Sequence, residues 1–175
     1  MIADSTAMAI ATSASLLFGP LLSSFFIAMR TRKGMRAMYN NTRVRRPPLS
    51  PPNWIFGPVW TVLYLGLGYS SIRIYALDPS LLRSYAINMI LNQLWTPLYF
   101  GLRRPGLALV DIAGVWGTAL WMYRDWYEVD PAATIPVAAY ITWVSFASYL
   151  NAGFWFLNRG TQYQALTDQD DEKEA

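Results

Sequence analysis

The sequence predicts an all-α integral membrane protein built as a bundle of five transmembrane helices. Its 175 residues are 54% hydrophobic and only 14% charged, whereas soluble proteins average about 25% charged residues. The charges are clustered, so long neutral runs separate them. A helix needs roughly 20 residues to cross the hydrocarbon core of a bilayer, and the neutral runs reach that length.

Five neutral runs are the predicted spans, at about residues 7–29, 52–76, 80–100, 106–123 and 132–157. The first run has no basic segment before it and is longer than the apolar core of a signal peptide, which predicts an uncleaved helix. We expect residues 1–158 to form one transmembrane domain. Residues 159–175 are polar and acidic, which predicts a disordered tail.

Prolines and charges mark the boundaries between these spans. Pro51 and Pro52 suit the first turn of a helix, where a missing N–H costs nothing. Asp78-Pro79, Arg103-Arg104-Pro105 and Asp130-Pro131 separate the later spans. Each of these segments is a predicted loop.

The charge distribution predicts the orientation in the membrane. The segment from Arg30 to Arg46, taken as the first loop, holds seven basic residues and no acidic residue. With five spans, this loop, the third loop and the C-terminus share one side. Basic loops stay in the cytosol, so we expect a cytosolic C-terminus.

Missing residue types limit the possible chemistry. The chain has no Cys and no His, so it lacks thiolate chemistry, the usual haem ligands and the usual general base. We therefore expect no metal site, no cofactor and no catalytic residue. The net charge of +3 comes from loop residues between apolar spans, which is not typical of a nucleic-acid partner.

Each span after the first carries a stripe that mixes aromatic, small and amide side chains. Residues at three- and four-residue steps share one helix face, and converging stripes would form an aromatic pocket with a few polar groups, as small-molecule sites do. The stripes are Asn53, Phe56, Gly57, Trp60 and Tyr64; Asn88, Asn92, Trp95 and Tyr99; Leu107, Asp111, Gly114 and Thr118; and Trp143, Ala147, Leu150, Asn151 and Phe154.

A purely structural interpretation competes with the pocket. Tryptophans near span ends belong to the interfacial belt by default, and these are Trp54, Trp121, Trp126 and Trp155. Asparagines within spans can hydrogen-bond between helices, and Asp111 can be a buried structural acid. Trp60 and Trp143 lie further from the interface, and we expect them to be pocket walls.

Several long motifs resemble the translocator protein family, also called tryptophan-rich sensory or peripheral-type benzodiazepine receptor proteins. The first is Pro-Pro-Asn-Trp-Ile-Phe-Gly-Pro-Val-Trp-Thr-Val-Leu-Tyr at 51–64. Gly-Tyr-Ser at 68–70, Leu-Asn-Gln-Leu-Trp-Thr-Pro-Leu-Tyr-Phe-Gly at 91–101, Ala-Leu-Val-Asp at 108–111 and the segment 143–151 follow in order. Together the motifs extend over about residues 15–158.

The resemblance implies a dimeric five-helix bundle with a ligand cavity under the first cytosolic loop. It implies binding of protoporphyrin-like tetrapyrroles, sterols and drug-like apolar molecules, as ligands rather than cofactors. It also implies the mitochondrial outer membrane, or the endoplasmic reticulum, as the location. Motif matching places ligand contacts at Phe56, Gly57, Val59, Trp60, Asn92, Trp95, Leu107, Val110, Trp143, Ala147 and Leu150; the stripes add Tyr64, Asp111 and Asn151.

Three functions fit these observations. The leading one is a membrane receptor or carrier, with membrane lipids and a porphyrin or sterol as partners. The second is an enzyme that degrades porphyrin photo-oxidatively through Trp60 and Trp143. The third, a transporter or channel, is disfavoured because the sequence shows no internal repeat. Ala152 stands where sterol-binding members carry a tyrosine, so the sterol motif is incomplete.

Overall fold

A computed structural model describes residues 2–40 and 44–159, with side chains from residue 10 to 38 and from 44 to 159. Five α-helices follow one another: α1 (Ile2–Asn40), α2 (Phe56–Leu77), α3 (Leu82–Thr96), α4 (Pro105–Val129) and α5 (Thr134–Asn158). Short 3₁₀ turns precede α2, α3 and α5, and a π turn, Pro97–Gly101, extends α3. The described ranges contain no strand, which confirms the all-α fold. The predicted tail from residue 160 lies outside them.

Four of the helices are long and apolar enough to cross a membrane. The corresponding segments are Ile10–Met38, Asn53–Leu77, Pro105–Val129 and Pro131–Asn158. The third predicted span differs, because α3 itself has only 15 residues. Only with its flanking 3₁₀ and π turns does this segment approach the roughly 20 residues that a bilayer requires.

The first basic segment is largely helical, which corrects the prediction of a loop from Arg30. α1 continues to Asn40 because its end is amphipathic. Thr31 and Met38 are buried, whereas Arg32, Lys33 and Arg36 are exposed. On the inner face, a Cβ at Gly34 would overlap the carbonyl oxygen of Phe100, so glycine permits α1 to lie directly on the π turn.

Pro20 interrupts the hydrogen bonding of α1, and α3 compensates for it. Proline has no N–H, so the carbonyl of Leu16 lacks its usual helical donor. The Tyr85 hydroxyl donates to that carbonyl at 3.1 Å. Gln93 Nε2 donates to the Pro20 carbonyl, also at 3.1 Å. These two contacts tie α1 to α3 at the level of the proline.

Two Asp-Pro turns, one before α3 and one before α5, close the end of the bundle opposite the π turn. Asp78 accepts a hydrogen bond from the Ser80 N–H at 2.8 Å, and Asp130 accepts one from Ala132 at 3.1 Å. Arg73 Nε also donates to Asp130 at 2.7 Å. The hydrogen bond from Arg73 lowers the pKa of Asp130 below its ordinary value, and bonding to Ser80 lowers that of Asp78. Both carboxylates therefore stay ionised at neutral pH.

One tryptophan departs from its predicted place in the interfacial belt. Trp126 is fully buried in the core near the start of α3. Its indole Nε1 donates to the Leu81 carbonyl at 3.2 Å, and its ring lies beside Tyr85. Trp54 and Trp121 are exposed, as belt residues are.

Candidate ligand-binding site

A small cavity lies beneath residues 44–52, which form part of the connecting segment between α1 and α2. We call residues 44–52 of this segment the strap. The cavity has a volume of about 80 Å³. Its walls come from the strap, α1, the start of α2, α3 with its π turn, and α5, through Met38, Arg46, Pro47, Ser50, Pro51, Asn53, Phe56, Trp95, Tyr99, Ala147, Leu150, Asn151 and Phe154.

The cavity is polar on one side and aromatic on the other. Arg46 is the one charged side chain among its lining residues, and Arg46 and Asn53 are exposed to solvent. Deeper in the bundle, Trp95 stacks on Tyr99 with ring centroids 4.6 Å apart. Phe154 is buried beside Tyr99. The arrangement suits an amphiphilic ligand with a flat apolar body and an anionic group.

Asn151 holds the aromatic wall in place. Its Oδ1 accepts a hydrogen bond from Trp95 Nε1 at 3.0 Å, and its Nδ2 donates to the Pro105 carbonyl at 2.9 Å. The side chain is buried. Asn151 therefore links α3, α4 and α5, which confirms the alternative that intramembrane asparagines connect helices.

Asn92 and Asn88 take part in a second buried network at the centre of the bundle. The Tyr64 hydroxyl donates to Asn92 Oδ1, and Asn92 Nδ2 donates to the Tyr140 hydroxyl at 2.9 Å. Tyr140 then donates to Asn88 Oδ1 at 2.9 Å, and Asn88 Nδ2 donates to the Val115 carbonyl at 2.7 Å. The network joins α2, α3, α4 and α5. Tyr64 and Asn92 thus bond to protein groups rather than line the cavity.

Trp60 and Trp143 form an aromatic cluster behind Phe56. Their ring centroids are 6.4 Å apart, and Trp60 stacks on Tyr64 at 5.4 Å. Phe56 lies 5.8 Å from Trp143 and also lines the cavity. Trp143 Nε1 is buried and has no hydrogen-bond partner in the described part of the chain. A buried donor without a partner is costly, and it marks a place where a ligand acceptor would be favourable.

The structure does not bring every predicted site residue to the cavity. On α4, Ala108, Asp111, Ile112 and Val115 form the buried face. Leu107 and Val110 therefore point outward, with 48% and 73% of their surface exposed. Asp111 lies within the bundle, where one of its carboxylate oxygens has no partner among the described residues, but it does not line the cavity. Gly57 is exposed, and Val59 packs at the edge of the core.

Comparison with known proteins agrees with this architecture. The model of the TspO/MBR family matches residues 14–156. The chain belongs to the TspO/MBR family. The resemblance seen in its motifs is thereby confirmed, and membership supports a membrane role in ligand reception or transport.

Relatives of this TspO/MBR protein occur in eukaryotes and bacteria. A translocator protein homolog of Schizosaccharomyces pombe is 34% identical over 154 residues, 83% of this chain and 90% of the relative. The translocator protein of Bos taurus is 36% identical over 145 residues, 78% and 83% of the two chains. The tryptophan-rich protein TspO of Chlorobaculum tepidum is 31% identical over 128 residues, 70% and 81%.

Half of the eight lining residues that were not predicted from the sequence come from the strap. Arg46, Pro47, Ser50 and Pro51 have no helical periodicity that could assign them a direction. The two proline pairs beside a basic cluster are the signal that could have identified this segment. Asn53, Tyr99 and Phe154, also in the wall, were on predicted stripes but not among the predicted site residues.

Proposed function

We propose that this protein is a membrane receptor or carrier that binds a protoporphyrin-like tetrapyrrole in the cavity beneath the strap. The supporting observation is the pairing of Arg46 at the solvent side with the stacked rings of Trp95 and Tyr99 inside. A flat ring system gains from contact with aromatic faces. A carboxylate substituent would accept charge-assisted hydrogen bonds from the guanidinium.

Binding requires the site to enlarge. The cavity of about 80 Å³ is well below the roughly 300–1,000 Å³ of typical ligand pockets. Rotation of Phe56 would join the cavity to the space around Trp60 and Trp143, because Phe56 contacts both regions. The unpartnered N–H of Trp143 would then become available to a ligand acceptor.

The residue composition favours a metal-free porphyrin over haem. His and Cys, which hold the iron in many haem proteins, are absent from the chain, so Met38 and Tyr99 are the lining residues that could supply an axial ligand. The tetrapyrrole would therefore be a ligand and not a redox cofactor. Sterols and drug-like apolar molecules share its flat apolar shape but not its carboxylates, so they would gain less from Arg46.

A titration of protoporphyrin in nanodiscs, in the dark, tests this assignment. We expect saturable binding in the micromolar range. Arg46→Gln should weaken it roughly tenfold, about 1.4 kcal/mol, in line with one exposed charge-assisted bond. The dimethyl ester of protoporphyrin should be insensitive to the substitution. Arg32→Gln, on the exposed face of α1, is the matched control; equal losses in both variants would contradict a role for Arg46.

A porphyrin-degrading enzyme is the second candidate, favoured by the close approach of Trp60 to Trp143. In that case both tryptophans would be redox participants. Following the porphyrin spectrum under illumination distinguishes the two functions. Loss of the bands in the wild type but not in Trp60→Phe or Trp143→Phe would favour the enzyme, whereas a conserved spectrum supports the receptor.

For cellular context we propose a homodimer in the mitochondrial outer membrane, with the endoplasmic reticulum as the alternative. The family resemblance supports this location and the dimer. The orientation, with the strap and the end of α5 in the cytosol, is supported by charge. The described residues at that end include Arg30, Arg32, Lys33, Arg36, Arg45, Arg46, Arg103, Arg104 and Arg159, without an acidic residue among them.

A further inference from the structure

We propose that Asn158 is a positioning residue that latches the strap over the cavity, and that release of this latch sets the rate at which ligand exchanges. This inference deepens the proposed function. It rests on that function only for the identity of the ligand. Asn158 does not line the cavity. It affects the cavity through the strap residues that line it.

The latch is a two-way hydrogen bond between one side chain and one backbone unit. The Arg45 N–H donates to Asn158 Oδ1 at 3.0 Å, and Asn158 Nδ2 donates to the Arg45 carbonyl at 2.8 Å. Asn158 Nδ2 also donates to the Phe154 carbonyl at 2.7 Å, which fixes the amide on α5. Only 5% of the Asn158 surface is exposed. A carboxamide is required, because aspartate lacks the donor and leucine lacks both groups.

The strap residues after Arg45 also contact α5. Pro47 lies against Gly153, where an added Cβ would be only 2.7 Å from the proline Cβ. The Tyr149 hydroxyl donates to the Pro48 carbonyl at 3.0 Å. These hydrogen bonds and the proline contact all join the strap to α5.

The closed strap also contains a strained residue. Leu49 has a φ of 61°, in the left-handed region that non-glycine residues rarely adopt. Strain of this kind persists only where the surroundings enforce it. The Tyr149 hydroxyl holds the neighbouring Pro48 carbonyl, so the contacts with α5 help to keep the strap in this conformation.

Ligand exchange depends on this opening because the strap forms one wall of the cavity. Arg46, Pro47, Ser50 and Pro51 all line it. A volume of about 80 Å³ cannot hold a drug-sized ligand, so its walls, the strap among them, must move when a ligand enters. The latch therefore lies in series with both association and dissociation.

Kinetics with protoporphyrin as the probe form the first test. Asn158→Leu removes both strap hydrogen bonds and should accelerate association and dissociation together, each roughly tenfold. Tyr149→Phe removes one bond and should accelerate both about threefold. Ser148→Ala removes a bond within α5 only and should match the wild type. Faster dissociation with unchanged association in the Asn158 and Tyr149 variants would overturn the proposal.

Access to the cavity can also be measured without any ligand, because the chain has no cysteine. Ala147→Cys places a thiol in the cavity wall, and Leu102→Cys places one on the exposed turn after α3. A water-soluble maleimide should label the cysteine at position 147 about tenfold faster when Asn158→Leu is also present than when Asn158 is kept. The cysteine at position 102 should be labelled at the same rate in both cases.

The two tests separate failure of the latch from failure of the proposed function. Equal labelling of position 147 with and without the latch would overturn the latch, whatever the ligand. Faster labelling without any protoporphyrin binding would leave the latch supported and reject the proposed ligand. If Asn158→Leu does not fold, Tyr149→Phe replaces it in the same labelling test. The labelling rate at position 147 should then rise about threefold.

Discussion

Replacing Gly34 with alanine is expected to destabilise the bundle by about 3 kcal/mol, at the upper end for one added methyl group in a packed interior. The added Cβ would overlap the carbonyl oxygen of Phe100. The backbone fixes the position of Cβ, and its partner is a backbone carbonyl, so no side-chain rotation can relieve the overlap. We expect the end of α1 to separate from the π turn, and the unfolding temperature in detergent to fall.

Gly19→Ala is the matched control in the same helix. A Cβ at Gly19 meets nothing within 4 Å, and alanine favours a helix over glycine by up to about 1 kcal/mol. We therefore expect Gly19→Ala to be neutral or stabilising. Equal destabilisation by both substitutions would mean that α1 does not rest on the π turn as described.

Removing the Tyr140 hydroxyl should have the next largest effect, a loss of about 2 kcal/mol in Tyr140→Phe. The substitution keeps the ring but removes bonds to both Asn88 and Asn92. Interhelical hydrogen bonds in membranes contribute about 0.6 to 1.7 kcal/mol each. The amide groups left behind would be buried without their partners, which adds to the cost.

Tyr127→Phe provides the comparison for this variant. Tyr127 is exposed on α4, and removing its hydroxyl should change the free energy of unfolding by less than about 0.5 kcal/mol. Reversible unfolding in mixed micelles would measure both variants. A loss in Tyr140→Phe no larger than in Tyr127→Phe would show that the network contributes little to stability.

The sequence was sufficient to predict the helical membrane fold, because neutral runs of adequate length define it. It did not predict the continuation of α1 beyond Arg30. A basic run without acidic residues resembles a loop, and the small inner residues Thr31 and Gly34 become interpretable only beside the π turn that they contact. The burial of Trp126 was missed for a related reason, since its partner carbonyl at Leu81 comes from a distant part of the chain.

The site was predicted in outline but not in detail. Helical periodicity identified stripes, and Phe56, Trp95, Ala147, Leu150 and Asn151 do meet at one cavity. Periodicity cannot determine which flank of a stripe faces inward. The buried face of α4 turns Leu107 and Val110 outward. Nor can it predict that Trp60 and Trp143 pack edge to face behind Phe56 instead of lining the cavity.

The most direct test of the account is to fill the cavity and measure protoporphyrin binding. Ala147→Trp places an indole among the lining residues, whereas Ala139→Trp places the same group on the exposed face of α5. Absorbance titrations in nanodiscs should show affinity at least roughly 100-fold weaker, about 2.7 kcal/mol, in the first variant, and wild-type affinity in the second. Undiminished binding by a folded Ala147→Trp protein would contradict the claim that the ligand occupies the cavity beneath the strap.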